Sequence, residues 1–172
     1  MRNRFDRQLL KLNQEMIDMG SLCEEMITAA AKIVATRDKE LMDDIVTMEE
    51  EINQKERDIE RICMKLLMQQ QPVANDLRVI SAAMKMVSDM ERIGDQTSDI
   101  AEIILSSKGV AATDEIHVIG TMASEVSKMV RTSVTAYVEK DLELARSVMK
   151  ADDEIDQYFE EVRDEMIEFI RE

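Results

Sequence analysis

The sequence has few of the residues that interrupt helices or crosslink small folds. Its 172 residues include four glycines, one proline, two cysteines, one histidine and no tryptophan, and aromatic residues make up 3% of it. Because glycine and proline disfavour helix interiors, their scarcity favours long helices over sheets. Cys23 and Cys63 form no C-x-x-C pair and have no neighbouring histidine, which excludes a zinc knuckle and a redox motif. We expect both to be buried, reduced thiols.

Long hydrophobic runs and an excess of positive charge are also absent. No segment reaches the roughly 18 consecutive apolar residues of a membrane span, and the first ten residues lack the apolar region of a signal peptide. Acidic residues outnumber basic ones 37 to 22, for a net charge of −15. Since phosphate contacts need lysine and arginine, free DNA or RNA is disfavoured as a ligand. We expect a soluble, cytoplasmic protein that binds no nucleic acid and inserts directly into no membrane.

Apolar residues recur at helical spacing in five long segments, separated by sparse turn signals. The predicted helices run from Asn3 to Thr36, from Asp38 to Gln70, from Pro72 to Ser107, from Thr113 or Asp114 to Tyr137, and from Asp141 to the chain end. Asp38 and Asp141 are expected N-caps, Pro72 is expected in the first turn of its helix, and Gly109 is an expected stop. These lengths, roughly 40 to 50 Å each, predict an all-α fold, an elongated antiparallel helical bundle.

The second and fifth predicted helices are copies of one another at an offset of 103 residues. The shared positions include Asp38, Glu40, Leu41, Glu51, Ile52 and Gln54, which recur as Asp141, Glu143, Leu144, Glu154, Ile155 and Gln157. This predicts tandem three-helix repeats over residues 1–109 and 110–172, with the second repeat incomplete because it has only its first two helices. The fifth helix would then have an unfilled groove, which favours self-association.

Carboxylates continue an apolar stripe on the third predicted helix. At helical spacing, Glu91, Asp95 and Glu102 share the sector of Leu77, Ile80, Met84 and Val87, with Asp99 beside them. The same helix carries apolar residues on its opposite side, which predicts that it is central in the bundle. The second helix repeats the arrangement with Glu49, Asn53, Glu56 and Glu60, and the fifth helix places Asp152 and Asp156 in the corresponding sector.

Like charges one helical turn apart repel, and a bound cation would remove that repulsion. Carboxylates from facing helices hold magnesium, manganese or iron in helical bundles, so these side chains are candidate metal ligands. A di-iron oxygen site also needs Glu-x-x-His, and His117 lies far from the carboxylates in sequence, which disfavours that chemistry. Two other interpretations stay open. The carboxylates form a solvated helix face, or Arg92 neutralises the group on the third helix.

Two segments resemble the signature of the PhoU family of phosphate-uptake regulators. They are the run from Gln71 to Arg78, QPVANDLR, and the run from Met90 to Ala101, MERIGDQTSDIA. The resemblance covers essentially the whole chain. It implies a cytoplasmic, often dimeric protein of two three-helix bundles that negatively regulates phosphate uptake and the phosphate-starvation response. The partners that it implies are the ATPase of a phosphate ABC transporter and a sensor histidine kinase.

The resemblance also implies metal binding through E/D-x-x-x-D motifs. These correspond to Glu91 with Asp95 and to Asp152 with Asp156, whereas Glu49 with Asn53 departs from the motif. Candidate cofactors are iron, zinc, manganese or magnesium, and the full predicted ligand list is Glu91, Asp95, Asp99, Glu49, Asn53, Glu56, Asp152 and Asp156. The signature residues that we predict to form the helix start or a docking surface are Gln71, Pro72, Asp76, Arg78, Arg92 and Gly94.

The residue types of the signature have plain structural interpretations as well. Pro72 fixes the entry of the third helix, Asp76 favours the positive end of its dipole, and Arg78 pairs with Asp76 or with a neighbouring helix. Gly94 lies between two candidate ligands, where the missing Cβ lets another helix or a metal ion approach. This glycine costs about 1 kcal/mol of helix propensity relative to alanine, so we expect a compensating contact.

Three functions are compatible with the sequence. The first is a non-enzymatic regulator that acts through protein contacts, since the sequence contains no glycine-rich phosphate loop and no Ser/His/Asp set. The second is a carboxylate-bridged metal store or metalloenzyme. The third is a regulatory module of a sodium/phosphate cotransporter, because PhoU-like domains also occur there.

Overall fold

The computed structural model describes residues 2–69, 72–107 and 117–171. Within these ranges the chain forms five α-helices and no strand, which confirms the all-α prediction. The helices are α1 (Arg2–Thr36), α2 (Leu41–Gln69), α3 (Ala74–Ser106), α4 (His117–Glu139) and α5 (Leu142–Arg171). The predicted stop at Gly109 and the predicted start at Thr113 or Asp114 lie outside the described residues.

α1 and α4 end in the same backbone conformation, and the same residue type follows it. Arg37 and Lys140 have positive φ angles of 54° and 58°, the left-handed conformation that often terminates a helix. Each is followed by an aspartate. Oδ1 of Asp141 accepts a hydrogen bond from the Leu144 backbone N–H at 2.9 Å, and Oδ1 of Asp38 accepts one from the Glu40 backbone N–H at 3.0 Å. Asp141 directly precedes α5 and is its N-cap, as predicted. Asp38 lies three residues before α2 and accepts its bond within the connecting turn, so the predicted N-cap at Asp38 is wrong.

α3 begins slightly later in the sequence than predicted. The helix begins at Ala74 with Val73 as its N-cap, so Pro72 precedes the helix and does not lie in its first turn. Asp76 explains the boundary, because its Oδ2 accepts a hydrogen bond from the Val73 backbone N–H at 3.2 Å. Gln71 lies outside the described residues.

The central helix is α1, and the prediction of a central α3 is wrong. α1 packs against α2, α3 and α4, whereas α3 packs against α1 and α2. The buried face of α3 includes Gly94, Thr97, Ser98 and Ala101. These small residues are missed when buried positions are predicted from the spacing of large apolar side chains. The two apolar stripes seen in the sequence are therefore the edges of one broad buried face. The fully buried side chains of α1 are Leu12, Met16, Met19, Cys23, Met26 and Ile33.

α1 and α4 come into close contact where they cross. A Cβ added to Gly20 would lie 3.0 Å from Cγ2 of Val134, so the missing side chain lets α4 come close. Arg131 forms an ion pair with Glu24 across the same pair of helices. Side chains from both repeats thus share one hydrophobic core.

Both cysteines are free and buried, as predicted. Burial raises the pKa of Cys23 to about 12 and that of Cys63 to about 11. The Cys23 thiol donates a hydrogen bond to the Met90 carbonyl oxygen at 3.5 Å. Since the thiolate is the reactive form, both residues serve packing in this structure.

α5 packs mainly against α4 and leaves much of its apolar surface exposed. The exposed large apolar side chains of α5 are Leu142, Met149, Phe159, Met166 and Ile167. A cavity of about 360 Å³ lies between α3, α4 and α5. Within the described ranges, no helix has the length and hydropathy needed to cross a bilayer.

Candidate functional site

α2 and α3 come into close contact at one glycine. A Cβ added to Gly94 would lie 3.1 Å from Cδ1 and 3.3 Å from Cγ2 of Ile52, a side chain that is 1% exposed. Glycine therefore allows α2 to approach α3, which is one of the two roles predicted for it. This contact also offsets the helix propensity that glycine loses.

This contact brings carboxylates of the two helices together. Glu91 and Asp95 flank Gly94 on α3, and Glu49 and Glu56 lie within about one helical turn of Ile52 on α2. We call Glu49, Glu56, Glu60, Glu91 and Asp95 the carboxylate cluster.

The electrostatics confirm that the cluster spans both helices. Partial burial raises the pKa of Glu91, and the charges of Asp95, Glu56 and Glu49 raise it further. Partial burial also raises the pKa of Glu56, with contributions from Glu60 and Asp95. The carboxylates of α2 and α3 therefore repel one another across the helix contact.

Arg92 does not neutralise this cluster. Its guanidinium forms an ion pair with Asp89 at 3.3 Å, on the same helix. Arg57 on α2 does act on one of its members, because its positive charge partly lowers the pKa of Glu56. The interpretation in which Arg92 balances the α3 carboxylates is therefore wrong.

The remaining predicted ligands lie apart from the cluster or at its edge. Asn53 is half-buried beside Ile52, and Asp99 is exposed and is not among the charges that raise the pKa of Glu56 or Glu91. Asp152 and Asp156 are exposed on α5, where Asp152 lines the cavity between α3, α4 and α5.

Glu60 belongs to the cluster although the predicted ligand list omits it. The sequence carried the signal, because Glu60 follows Glu56 by one helical turn.

The donor chemistry of the cluster fits a cation that prefers oxygen ligands. Within residues 2–69, 72–107 and 117–171, however, no three His, Cys, Asp or Glu side chains are arranged to hold a metal ion. Binding therefore requires side-chain rotation, which the exposed Asp95 and the partly exposed Glu91 permit. The side chain of His117 is not among the described parts of the chain.

The signature segment forms the start of α3. Asp76 caps the helix, as its position in the first turn predicts. Arg78 is exposed and forms no ion pair with any described residue, so its predicted pairing with Asp76 or a neighbouring helix is wrong.

Comparison with curated proteins finds relatives along nearly the whole chain. The phosphate-specific transport system accessory protein PhoU homolog of Clostridium acetobutylicum is 33% identical over 169 residues, covering 98% of this chain and 77% of that protein. The homolog of the same name from Streptococcus pneumoniae serotype 4 is 34% identical over 170 residues, covering 97% of this chain and 77% of that protein.

Solved structures agree with this relationship. The crystal structure of PhoU from Pseudomonas aeruginosa superposes with a TM-score of 0.85 at 28% identity, covering 97% of this chain and 80% of that one. The phosphate transport system regulatory protein PhoU from Streptococcus pneumoniae gives a TM-score of 0.86 at 30% identity, with 97% and 79% covered. The PhoU domain itself matches residues 16–104 and 119–172. The chain therefore belongs to the PhoU domain family.

Proposed function

We propose that this chain is a non-enzymatic accessory protein that negatively regulates phosphate uptake and the phosphate-starvation response. The observation that carries the proposal is the similarity of nearly the whole chain to accessory proteins of phosphate-specific transport systems. The chain would act in the cytoplasm through contacts with the ATPase of a phosphate ABC transporter and with a sensor histidine kinase.

The test is expression of the chain in a bacterium that lacks its own family member and carries a reporter gene under a phosphate-responsive promoter. We expect lower reporter activity and slower phosphate uptake than with an empty vector. Repeating the assay in strains without the ABC transporter and without the sodium/phosphate cotransporter separates the two transport systems. Repression that disappears only with the cotransporter would favour the cotransporter module and contradict the ABC-transporter proposal.

We propose that the same protein binds a divalent or ferric ion, namely iron, zinc, manganese or magnesium, at the carboxylate cluster. Partial burial and mutual repulsion both raise the pKa of Glu91 and Glu56, which supports this proposal because a cation replaces that repulsion by attraction. Asn53 would add a neutral amide oxygen beside the cluster. Asp99 at its edge and the pair Asp152 and Asp156 on α5 stay predicted ligands.

We also propose a homodimer formed through the exposed apolar face of α5. The exposed Met149 and Phe159 support it, since contiguous exposed apolar surface marks interaction sites. Sedimentation equilibrium is expected to give twice the chain mass of 19.7 kDa. A monomer at all concentrations, or a dimer that persists after Met149→Ser/Phe159→Ser, would contradict this interface.

A further inference from the structure

α4 and α5 present a pattern of apolar residues like that of the α1 and α2 surface under α3. The offset of 103 residues that relates α2 to α5 also relates α1 to α4, because the two residues with positive φ at the ends of α1 and α4 are 103 positions apart. At this offset the corresponding pairs are Cys23 and Val126, Met26 and Met129, Ile45 and Val148, and Ile52 and Ile155.

α3 covers the α1 and α2 members of these pairs. The Cys23 thiol donates a hydrogen bond to the Met90 carbonyl oxygen of α3 at 3.5 Å. Gly94 of α3 lies against Ile52, since a Cβ added there would be 3.1 Å from the Cδ1 atom of Ile52. Cys23 is 0% exposed and Ile52 is 1% exposed as a result. On α1 and α2 this pattern is therefore the seat of a third helix.

The corresponding surface of α4 and α5 is open. Val126 and Ile155 are partly exposed and line the cavity of about 360 Å³ between α3, α4 and α5. A second cavity, of about 470 Å³, adjoins it, because Met129 and Val148 line both. Together the two cavities extend along α4 from Val126 to Tyr137, which is about 16 Å or three helical turns. We call them the α4–α5 trough.

We infer that the α4–α5 trough docks a helix of a partner protein that has the pattern of α3. Apolar residues of that helix, at helical spacing, would face Val126, Met129 and Val148. A glycine would lie opposite Ile155, because its counterpart Ile52 leaves no room for a Cβ on α3. The inference rests on the residue pattern and the open trough, and it does not depend on the proposed regulatory role.

The helices of a second copy fit the trough less well. Its α3 would have to leave its own bundle, where Ile80, Ala83 and Val87 are 0% exposed, and that core would be opened to water. Its α5 contains no glycine, so each of its residues would bring a side chain against Ile155. A helix of another protein has neither disadvantage.

The probe is a fluorescein-labelled peptide with the sequence of residues 72–107, which contains α3. Its controls are the same peptide with Gly94→Leu and a peptide of the same composition in scrambled order. Each is titrated with the full chain in EDTA, which keeps metal ions out of the comparison, and binding is measured by fluorescence anisotropy. We expect the unmodified peptide to bind about tenfold more tightly than either control, because the leucine meets Ile155 and the scrambled peptide has no continuous apolar face.

A substitution in the trough tests the same contact from the other side. Ile155→Ala in the chain is expected to weaken binding of the unmodified peptide about tenfold, because it removes a central apolar anchor. The same variant is expected to bind the Gly94→Leu peptide more tightly than the unmodified chain does, because the leucine fills the space that isoleucine leaves.

Ile17→Ala is the matched control for this substitution. Ile17 is 40% exposed on α1 and does not line the trough, so the variant is expected to bind all three peptides as the unmodified chain does. Far-UV circular dichroism measures the helicity of each variant. If Ile155→Ala does not fold, the comparison of the three peptides on the unmodified chain decides.

Three results would overturn the inference. Equal binding of the three peptides would reduce the interaction to unspecific contact. Binding of the unmodified peptide that is unchanged in a folded Ile155→Ala variant would place the peptide elsewhere, for example in exchange with the chain's own α3. Dimerisation that disappears in Ile155→Ala, measured by sedimentation equilibrium, would identify a second copy as the occupant of the trough.

Discussion

Purified chain freed of weakly held ions is expected to retain a near-stoichiometric amount of metal, and Glu91→Gln/Asp95→Asn is expected to retain almost none. The two substitutions keep the side-chain shapes but remove two charges, and carboxylate charge is what attracts a hard cation. Glu49 and Glu56 on α2 then face neutral amides and lack the charge to hold the ion alone. Plasma mass spectrometry of the two proteins, prepared side by side, measures the difference.

A matched control exists on α5. Glu160 and Asp164 have the same Glu-x-x-x-Asp spacing but are exposed, and Asp164 pairs with Arg163. Glu160→Gln/Asp164→Asn is therefore expected to leave metal content unchanged. Equal metal content in all three proteins, or metal in none of them, would contradict the assignment of the cluster.

The same preparation tests the alternative of a metal store or metalloenzyme. A regulator needs a fixed amount of metal and no redox turnover, whereas a store takes up metal well beyond the stoichiometric amount. Uptake that continues to rise with added iron, or oxygen consumption with ferrous iron, would favour the alternative.

Gly94→Leu is expected to lower the free energy of unfolding by about 2 kcal/mol or more, a typical cost of overpacking a core. Even a Cβ at this position would lie 3.1 Å from the buried Ile52, so a leucine forces α2 away from α3 or both side chains into strained rotamers. Urea unfolding followed by circular dichroism gives the free energy. The same variant is expected to lose metal, because separation of the helices separates the carboxylates.

Three further variants test whether the loss of stability in Gly94→Leu comes from competition with the Ile52 side chain for the same space. Ile52→Ala alone is expected to cost about 2 to 5 kcal/mol through the cavity it leaves. Combined with Gly94→Leu it is expected to cost less than the sum, since the leucine fills that space. Gly120→Ala, where a Cβ would meet nothing within 4 Å, is expected to stabilise the chain by about 0.5 kcal/mol. Additive costs at positions 52 and 94 would show that the two side chains do not compete for space.

Helical periodicity predicted much of this molecule because the spacing of apolar residues and caps is local information. Asp141 was recognisable as a cap, and Glu91 with Asp95 as a pair on one face. The central position of α1 was not predictable in this way. It depends on Gly20 and on the small residues of α3, which bury backbone and polar atoms that an apolar count ignores.

Periodicity alone also could not predict which carboxylates of α2 and α3 come together at the candidate site. Periodicity places Glu56 and Glu60 on one sector of α2, but it does not say which α3 residue faces them. The contact between Ile52 and Gly94 fixes that alignment, and it is a relation between helices.

The crossing of α1 and α4 has a consequence for how the chain folds. Val134 packs into the space above Gly20, and Arg131 pairs with Glu24, so an apolar contact and an ion pair join α4 to α1. Val130 and Val134 of α4 belong to the same buried cluster as the core residues of α1, α2 and α3, so α4 supplies part of the buried surface that stabilises these helices. We therefore expect α1, α2, α3 and α4 to gain and lose their structure as one cooperative unit.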